Sequence, residues 1–563
     1  SNVKQGKRNV IMKKITNKIL AALIVPVLAT GCIKESFPEG STQLADQVGQ
    51  SEFALGGLVN SFPVAMMTVD NASFYSKYDT HTDFGIPAIH LMTESMLEDI
   101  AVMGANPGYW SFNYWSRNVG MNDQSWPIGY FWENYYKYIK IANDVISVIE
   151  VSEDMPALNK NYLGQAYAYR AMSYLDLARM YEPKENEYTD VSHVLGLTVP
   201  IVTEKSTAEE LTNNPRVPRE DMYEFILSDL KMAEEMLAEA NNDYTQPTLA
   251  AVYGMYARAY LEMGYWKEGG DADAFSKAAS YARQAITVSG KTPLTEAQWT
   301  DPATGFNSGS SNNSWIWGLP VSNDLIGNII CFTAHLSCEG TWGYTTLSNP
   351  GINKALYDKI APGDFRHKSF LSPDRSKWTD GTYKFAGNAT AQAAFLKSLA
   401  KPYTAIKFRP VGGETNTYTV GNPADHMLMR VEEMYFIEME AVAQSDLGQA
   451  KTLLNDFMAL RVLDGSYDCS GVQDLSRFIT EMLVQKRIEF WGEGIMFFDY
   501  KRLDRGITRS YEGSNHPSMW AFNVSGRSPQ WNFVINRGEF QANAGISEAT
   551  NNPDPSGLLV VPE

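Results

Sequence analysis

The residues best suited to chemistry are aromatic rings set beside short polar side chains. Tyr109, Trp110, Phe112, Tyr114 and Trp115 fall in one ten-residue stretch with Asn113, Arg117 and Asn118. Sugar rings offer an apolar face of C–H groups and a belt of hydroxyls. Trp and Tyr can stack on the first, while Asn, Asp and Arg satisfy the second. Tyr75, Tyr78 and Asp79 precede that stretch, and Trp342 and Tyr344 lie in a Gly-rich segment after Cys338. We therefore take Tyr75, Asp79, Tyr109, Trp110, Asn113, Trp115, Arg117, Trp342 and Tyr344 as candidate ligand contacts. The competing reading is that these rings anchor loops onto a core.

Covalent chemistry has weaker signals. Glu489 and Glu493 are four apart, which on a helix puts them on one face. A glycosidase pair must instead flank a bound sugar from opposite sides. Side by side, they are expected to pair with Arg487, Arg502 or a neighbouring helix, and Arg170 likewise reads as a buried, carboxylate-paired cation. The seven His residues form no HxH or HExxH cluster and no GxSxG elbow is present, so neither a metal nor another cofactor is called for. Asp271-Ala272-Asp273 after two glycines reads as a turn, being too short for a calcium loop.

The front of the chain reads as an address. Basic residues from Met12 to Lys18 precede an apolar run, Ile19–Leu28, and Ala29-Thr30-Gly31-Cys32 closes it. The run is too short for a permanent span. Small residues before a Cys resemble a bacterial lipobox, so Cys32 is the expected lipidation site, although Leu28 lies one position further from the Cys than usual. We read residues 1–31 as upstream residues and lipoprotein signal peptide, and 32–51 as lipidated Cys and tether. Net charge is −18 overall; setting the six basic side chains of the first 31 residues aside leaves roughly −24. Such acidity repels phosphate backbones and excludes nucleic acid as a partner. An exported chain permits a disulfide, and Cys331 and Cys338 are near enough in sequence to form one.

These side chains need a scaffold, and the apolar periodicity is mostly helical. Residues 129–150, 164–182, 220–238, 249–264, 274–288, 430–445, 447–462 and 475–491 carry it. Gly264 and Gly290 sit where helices should stop. The pairs 249–264/274–288 and 430–445/447–462 resemble tetratricopeptide units, which must stack to bury their apolar faces. The stretches 62–128, 291–350 and 371–425 do not read as helices. Trp110, Trp115, Trp126, Trp299, Trp315, Trp317, Trp342, Trp378, Trp520 and Trp531 fall outside the helices, which suggests flat rings held on irregular segments. Trp315-Ile316-Trp317 reads as a short structural strand with alternate residues facing the core.

Several motifs resemble the SusD/RagB family. Trp132-x2-Tyr135-Tyr136-x2-Ile139-x2-Ala142-Asn143 is similar to its first helix signature. Gly164-x-Ala166-x3-Arg170-Ala171-x2-Tyr174-x2-Leu177 is similar to its second. Met429-Arg430-x2-Glu433-Met434-Tyr435-x-Ile437-x2-Glu440-Ala441 and Lys486-Arg487-Ile488-Glu489-Phe490-Trp491-Gly492-Glu493-Gly494 resemble its C-terminal half. Ile535-Asn536 departs from an Ile-Pro often found there. The resemblance implies an all-α fold of tetratricopeptide-like helix pairs with a loop-rich cap and minor short strands. An N-terminal region (52–220) and a C-terminal region (221–563) would form one compact fold. It further implies a non-enzymatic lipoprotein, lipid-anchored at the outer membrane and facing outward. Such a chain captures oligosaccharide or polysaccharide beside a SusC-like TonB-dependent transporter. In starch-binding relatives an aromatic arc occupies a comparable N-terminal loop, where Trp110 and Asn113 would correspond. The alternatives are a peptide binder of RagB type in the same fold and a hydrolase.

Overall fold

In a computed structural model of the chain, residues 51–67, 81–105, 121–238, 241–326 and 329–558 are described. The chain divides at Leu55–Gly56; of the first unit, residues 51–55 are described and begin a helix. The principal elements are α1 (Glu52–Met67), α2 (Ile86–Ser95), β1 (Ile100–Val102), α3 (Trp126–Val148), α4 (Ala157–Tyr181), α5 (Arg219–Met236), α6 (Leu249–Gly264), α7 (Ala272–Ser289), β2 (Trp315–Leu319), β3 (Pro350–Ile352), β4 (His426–Arg430), α8 (Val431–Ala443), α9 (Leu447–Met458), α10 (Leu475–Glu489) and α11 (Met496–Arg502).

Helices α3 to α9 pack in succession, each on the next. That is the serial, neighbour-only burial of a helical repeat. Small residues set the spacing. A Cβ on Gly164 of α4 would lie 2.6 Å from Leu237 Cγ after α5, and one on Gly264 would lie 2.3 Å from the Phe275 ring of α7. Local chemistry fixes the ends. Asp271 accepts hydrogen bonds from the Asp273 and Ala274 amides, which makes it the N-cap of α7, and Gly290 ends that helix at φ 62°. Asp446 and Asp474 cap α9 and α10 in the same way; each such cap contributes about 1 kcal/mol. The expected helix pairs and their stops at Gly264 and Gly290 are thus present.

Residues 290–430 are inserted between α7 and α8 and carry β2, β3 and β4. β1 pairs antiparallel with β3 (Ile100 opposite Ile352), and β2 with β4 (Trp315 opposite Arg430). All five residues of β2 are buried. The alternate residues face the core as expected, Trp315 meeting Tyr244 at 6.0 Å and Trp317 meeting Tyr169 at 5.3 Å, and Ile316 between them is buried as well.

A neutral lattice of buried ions joins the insertion to the helical array. Arg430 reaches Glu432 at 2.8 Å and Glu493 at 2.9 Å. Arg461 reaches Glu489 at 2.8 Å, Arg366 reaches Asp364 at 2.7 Å and Glu489 at 3.2 Å, and Lys407 reaches Glu493 at 2.6 Å. Four cations meet four carboxylates with side chains no more than 3% exposed. Burial of one charge would be prohibitive; mutual pairing makes the cluster tolerable. Lys501 serves differently, donating to the Arg179 and Met180 carbonyls at the C-terminal end of α4, where the helix dipole favours a cation.

Two expectations need correction, and one point left open is closed. First, the stretch 62–128 contains helix α2, and 371–425 contains a helix at Ala389–Leu399. All ten residues of α2 are buried, so it lacks the polar face that would mark its period. Second, Cys331 and Cys338 are free, buried thiols, and Cys338 Sγ donates to the Ala405 carbonyl at 3.1 Å. Third, Trp126, Trp299, Trp378, Trp520 and Trp531 are buried, as Trp315 and Trp317 were expected to be. The irregular segments use their indoles as core against the helices, as with Trp299, whose Nε1 donates to Ser369 Oγ at 2.7 Å. Trp126 heads α3 instead of lying in a loop.

Candidate functional site

Trp342 is the candidate ring that the structure places at a surface. It is half-buried, and its indole packs against an apolar cluster of Ile326, Cys331, Ala334 and Tyr344. Glycines make room on two sides: a Cβ on Gly340 would lie 2.8 Å from Trp342 Cε2, and one on Gly421 would lie 2.7 Å from its Cη2. Trp342 Nε1 donates to Asn422 Oδ1 at 2.5 Å, and the Thr341 amide donates to the Thr415 carbonyl at 2.9 Å. The indole is therefore fixed in orientation before any ligand arrives, which lowers the entropic cost of binding. Asn422 bonds back to the Tyr418 carbonyl within the turn Tyr418–Gly421. Tyr418 is 39% exposed and Val420 53%, on the same short turn that ends at Gly421 and Asn422 against the indole. Sequence reading passed over Tyr418 and Asn422. Their one signal was membership of a Gly/Asn/Thr-rich segment, a composition common to loops of many kinds.

Tyr344 is a correction. It is 2% exposed, its ring centroid lies 4.3 Å from that of His335, and its hydroxyl meets His81 Nδ1 at 2.5 Å. Phe84 stacks on the other side of His335 at 4.9 Å. Tyr344 thus belongs to the column beneath the ledge and offers no face to a ligand. Burial pushes the His335 imidazole down to about 3, so it is neutral at ordinary pH, and its Nδ1 pairs with the Cys331 carbonyl at 2.7 Å.

Tyr75, Asp79, Tyr109, Trp110, Asn113, Trp115 and Arg117 lie outside the described residues, as does Cys32. The described chain between these two groups of residues, 81–105, is tied at both its ends to the segment that follows Trp342. His81 meets Tyr344. The Met103 and Gly104 amides donate to the Asn349 and Ser348 carbonyls at 3.2 and 2.7 Å. Gly104 is required there, since a Cβ would sit 1.8 Å from the Leu347 carbonyl oxygen.

The paired carboxylates are elsewhere. Glu489 is fully buried, and the guanidiniums of Arg461, Arg430 and Arg366 hold its carboxyl far below the usual range despite burial. The expected partners are taken by others. Arg487 pairs with Asp99 at 2.6 Å, and Arg502 with Glu440 at 2.8 Å. Arg170 is paired as expected, with Asp229 of α5 at 2.8 Å and Glu204 at 2.7 Å. Among the described residues no group of His, Cys, Asp and Glu is arranged to hold a metal, and no helix is long and apolar enough to cross a membrane.

Comparison with known proteins fits this geometry. A SusD-like family model, described as starch-binding and associating with the outer membrane, matches residues 67–261. A SusD-like protein of Bacteroides ovatus is 22% identical over 391 residues, covering 66% of this chain and 65% of its own length. SusD-like protein P38 of Formosa agariphila is 22% identical over 405 residues, covering 67% and 72%. The match thus spans about two thirds of each relative. In fold, a SusD-like carbohydrate-binding protein from Bacteroides vulgatus superposes with a TM-score of 0.67 at 20% identity, covering 88% of this chain and 97% of that one. A laminarin-binding SusD-like protein superposes at 0.60 and 16% identity, covering 89% and 99%. Paired helices in series and a cap inserted between α7 and α8 are the fold of these solved structures, and over residues 67–261 the chain is similar to the SusD-like family.

Proposed function

We propose that this protein is a cell-surface glycan-binding lipoprotein, anchored through Cys32, that captures oligosaccharide or polysaccharide and delivers it to a SusC-like TonB-dependent transporter without covalent chemistry. The observation that carries the reading is the Trp342 ledge: a half-buried indole locked by Asn422, on a turn that also carries the exposed Tyr418. Flat rings with amide groups beside them suit the apolar face and hydroxyl belt of a sugar. Trp110 and Trp115, with Tyr75, Asp79, Tyr109, Asn113 and Arg117, would complete the site from segments whose neighbours are tied to residues 344–349. The family description and the carbohydrate-binding relatives support the same class of ligand.

Affinity electrophoresis through gels containing laminarin, amylopectin or xylan tests it. A retarded wild type is expected, with Tyr418→Ala and Trp342→Ala each weakening retention by about 3- to 10-fold, the worth of one aromatic contact. Tyr418 lies at the surface, so that variant should melt like the wild type. Unchanged retention in both variants would remove the ledge from the site.

A further inference from the structure

A second cleft lies on the inserted cap, away from the Trp342 ledge. Its wall is Tyr357, whose ring meets that of His367 edge-on at 5.1 Å, and the open cleft holds about 660 Å³. Leu463, 58% exposed, forms an apolar lip, and Asp464 stands beside it. At the other end Lys368 Nζ meets Glu296 Oε1 at 2.7 Å, each side chain 35% exposed. These polar groups are paired yet reachable from solvent. Asp464 is held in place: its Oδ1 accepts from the Ser466 amide at 3.0 Å, and its Oδ2 lies where a Cβ on Gly363 would come within 2.3 Å.

We infer that this cleft is a second saccharide subsite, taking a neutral sugar unit of a chain whose other units occupy the ledge. The inference rests on the glycan-binding reading above. Lys368 is offset by Glu296, so a phosphate or uronate would find no unpaired cation there. Donors and acceptors at both ends with ring edges and an apolar lip between them match a hydroxylated ring instead. Burial keeps His367 below its ordinary pKa, so its ring is neutral at pH 7 and adds no charge. Two weak sites on one polymer gain by effective concentration, which is how a surface with few exposed rings can hold a polysaccharide.

The test uses the full chain in gels containing laminarin or amylopectin. Trp342→Ala should keep residual retention, and adding Tyr357→Ala should remove it. Leu463→Arg, which places a charged chain across the exposed lip, is the second variant should Tyr357→Ala fail to fold. Melting curves report folding in each case. Loss of the residual retention, by at least fivefold in apparent Kd, supports the subsite. A double variant that is retarded as strongly as Trp342→Ala alone overturns it. Trp342→Ala behaving like wild type would instead sink the ledge, and with it the inference that one chain occupies both. A wild type that neither polymer retards would remove both.

Discussion

Glu94 should make this protein less stable as the pH rises, and replacing it should reverse that trend. Its carboxyl is fully buried on α2, accepting from the Gly492 amide at 3.3 Å and the Gly494 amide at 3.2 Å. Burial, reinforced by Asp99 and Glu493 and opposed by the Gly492 amide and Lys407, raises its pKa from 4.5 to about 8. A carboxyl with a raised folded pKa binds a proton on folding. Its contribution is therefore fully present below pH 4.5 and is lost as the pH climbs towards 8. At pH 7 the loss amounts to about 3 kcal/mol at 1.36 kcal/mol per unit. Glu94→Gln removes the titration but turns an NH₂ group towards one glycine amide, at a cost of about 1–2 kcal/mol. The variant should be the less stable protein at pH 5 and the more stable at pH 8, by about 2 kcal/mol or more. Urea or thermal unfolding followed from pH 5 to 8.5 reads this as a crossing of the two curves. Parallel curves would mean that Glu94 does not titrate in that window, and the reasoning would fail.

His90, next to Glu94 on the same face of α2, acts in the opposite sense. Burial lowers its pKa from 6.5 to about 4, with Asp176 and Glu433 opposing and Arg258 and Arg179 reinforcing, and its Nδ1 meets His426 Nε2 at 3.0 Å. Its stabilising contribution is lost as the pH falls from 6.5 to 4, so His90→Gln should flatten the acid limb of a melting-temperature profile. Glu489→Ala removes the carboxylate shared by Arg461, Arg366 and Arg430 and leaves the buried cluster one negative charge short; it should cost about 3–5 kcal/mol, seen as a lower melting temperature and poor soluble yield. Gly264→Ala would push a methyl to 2.3 Å from the Phe275 ring and should cost about 1–3 kcal/mol by overpacking, read by thermal unfolding.

The sequence by itself determined the helical array, because amphipathic period, capping Asp and stop Gly are local signals. Gly290 marks the end of α7 in sequence as in space, whereas Asp271, read in sequence as part of a turn, is its N-cap. It also determined that Arg170 would be buried beside a carboxylate, since a cation among Ala and Tyr has no other tolerable state. The tertiary structure alone decided where the aromatic rings of the irregular segments face. Trp299, Trp378 and Trp531 read in sequence like Trp342, yet they are core and Trp342 is half-exposed. It alone decided that Glu489 pairs with Arg366, Arg430 and Arg461, contributed from distant parts of the chain, while the nearby Arg487 and Arg502 pair elsewhere. The reason is common to both. Burial of a ring or charge in a segment without a repeat depends on which remote surface packs over it, and no local spacing encodes that surface.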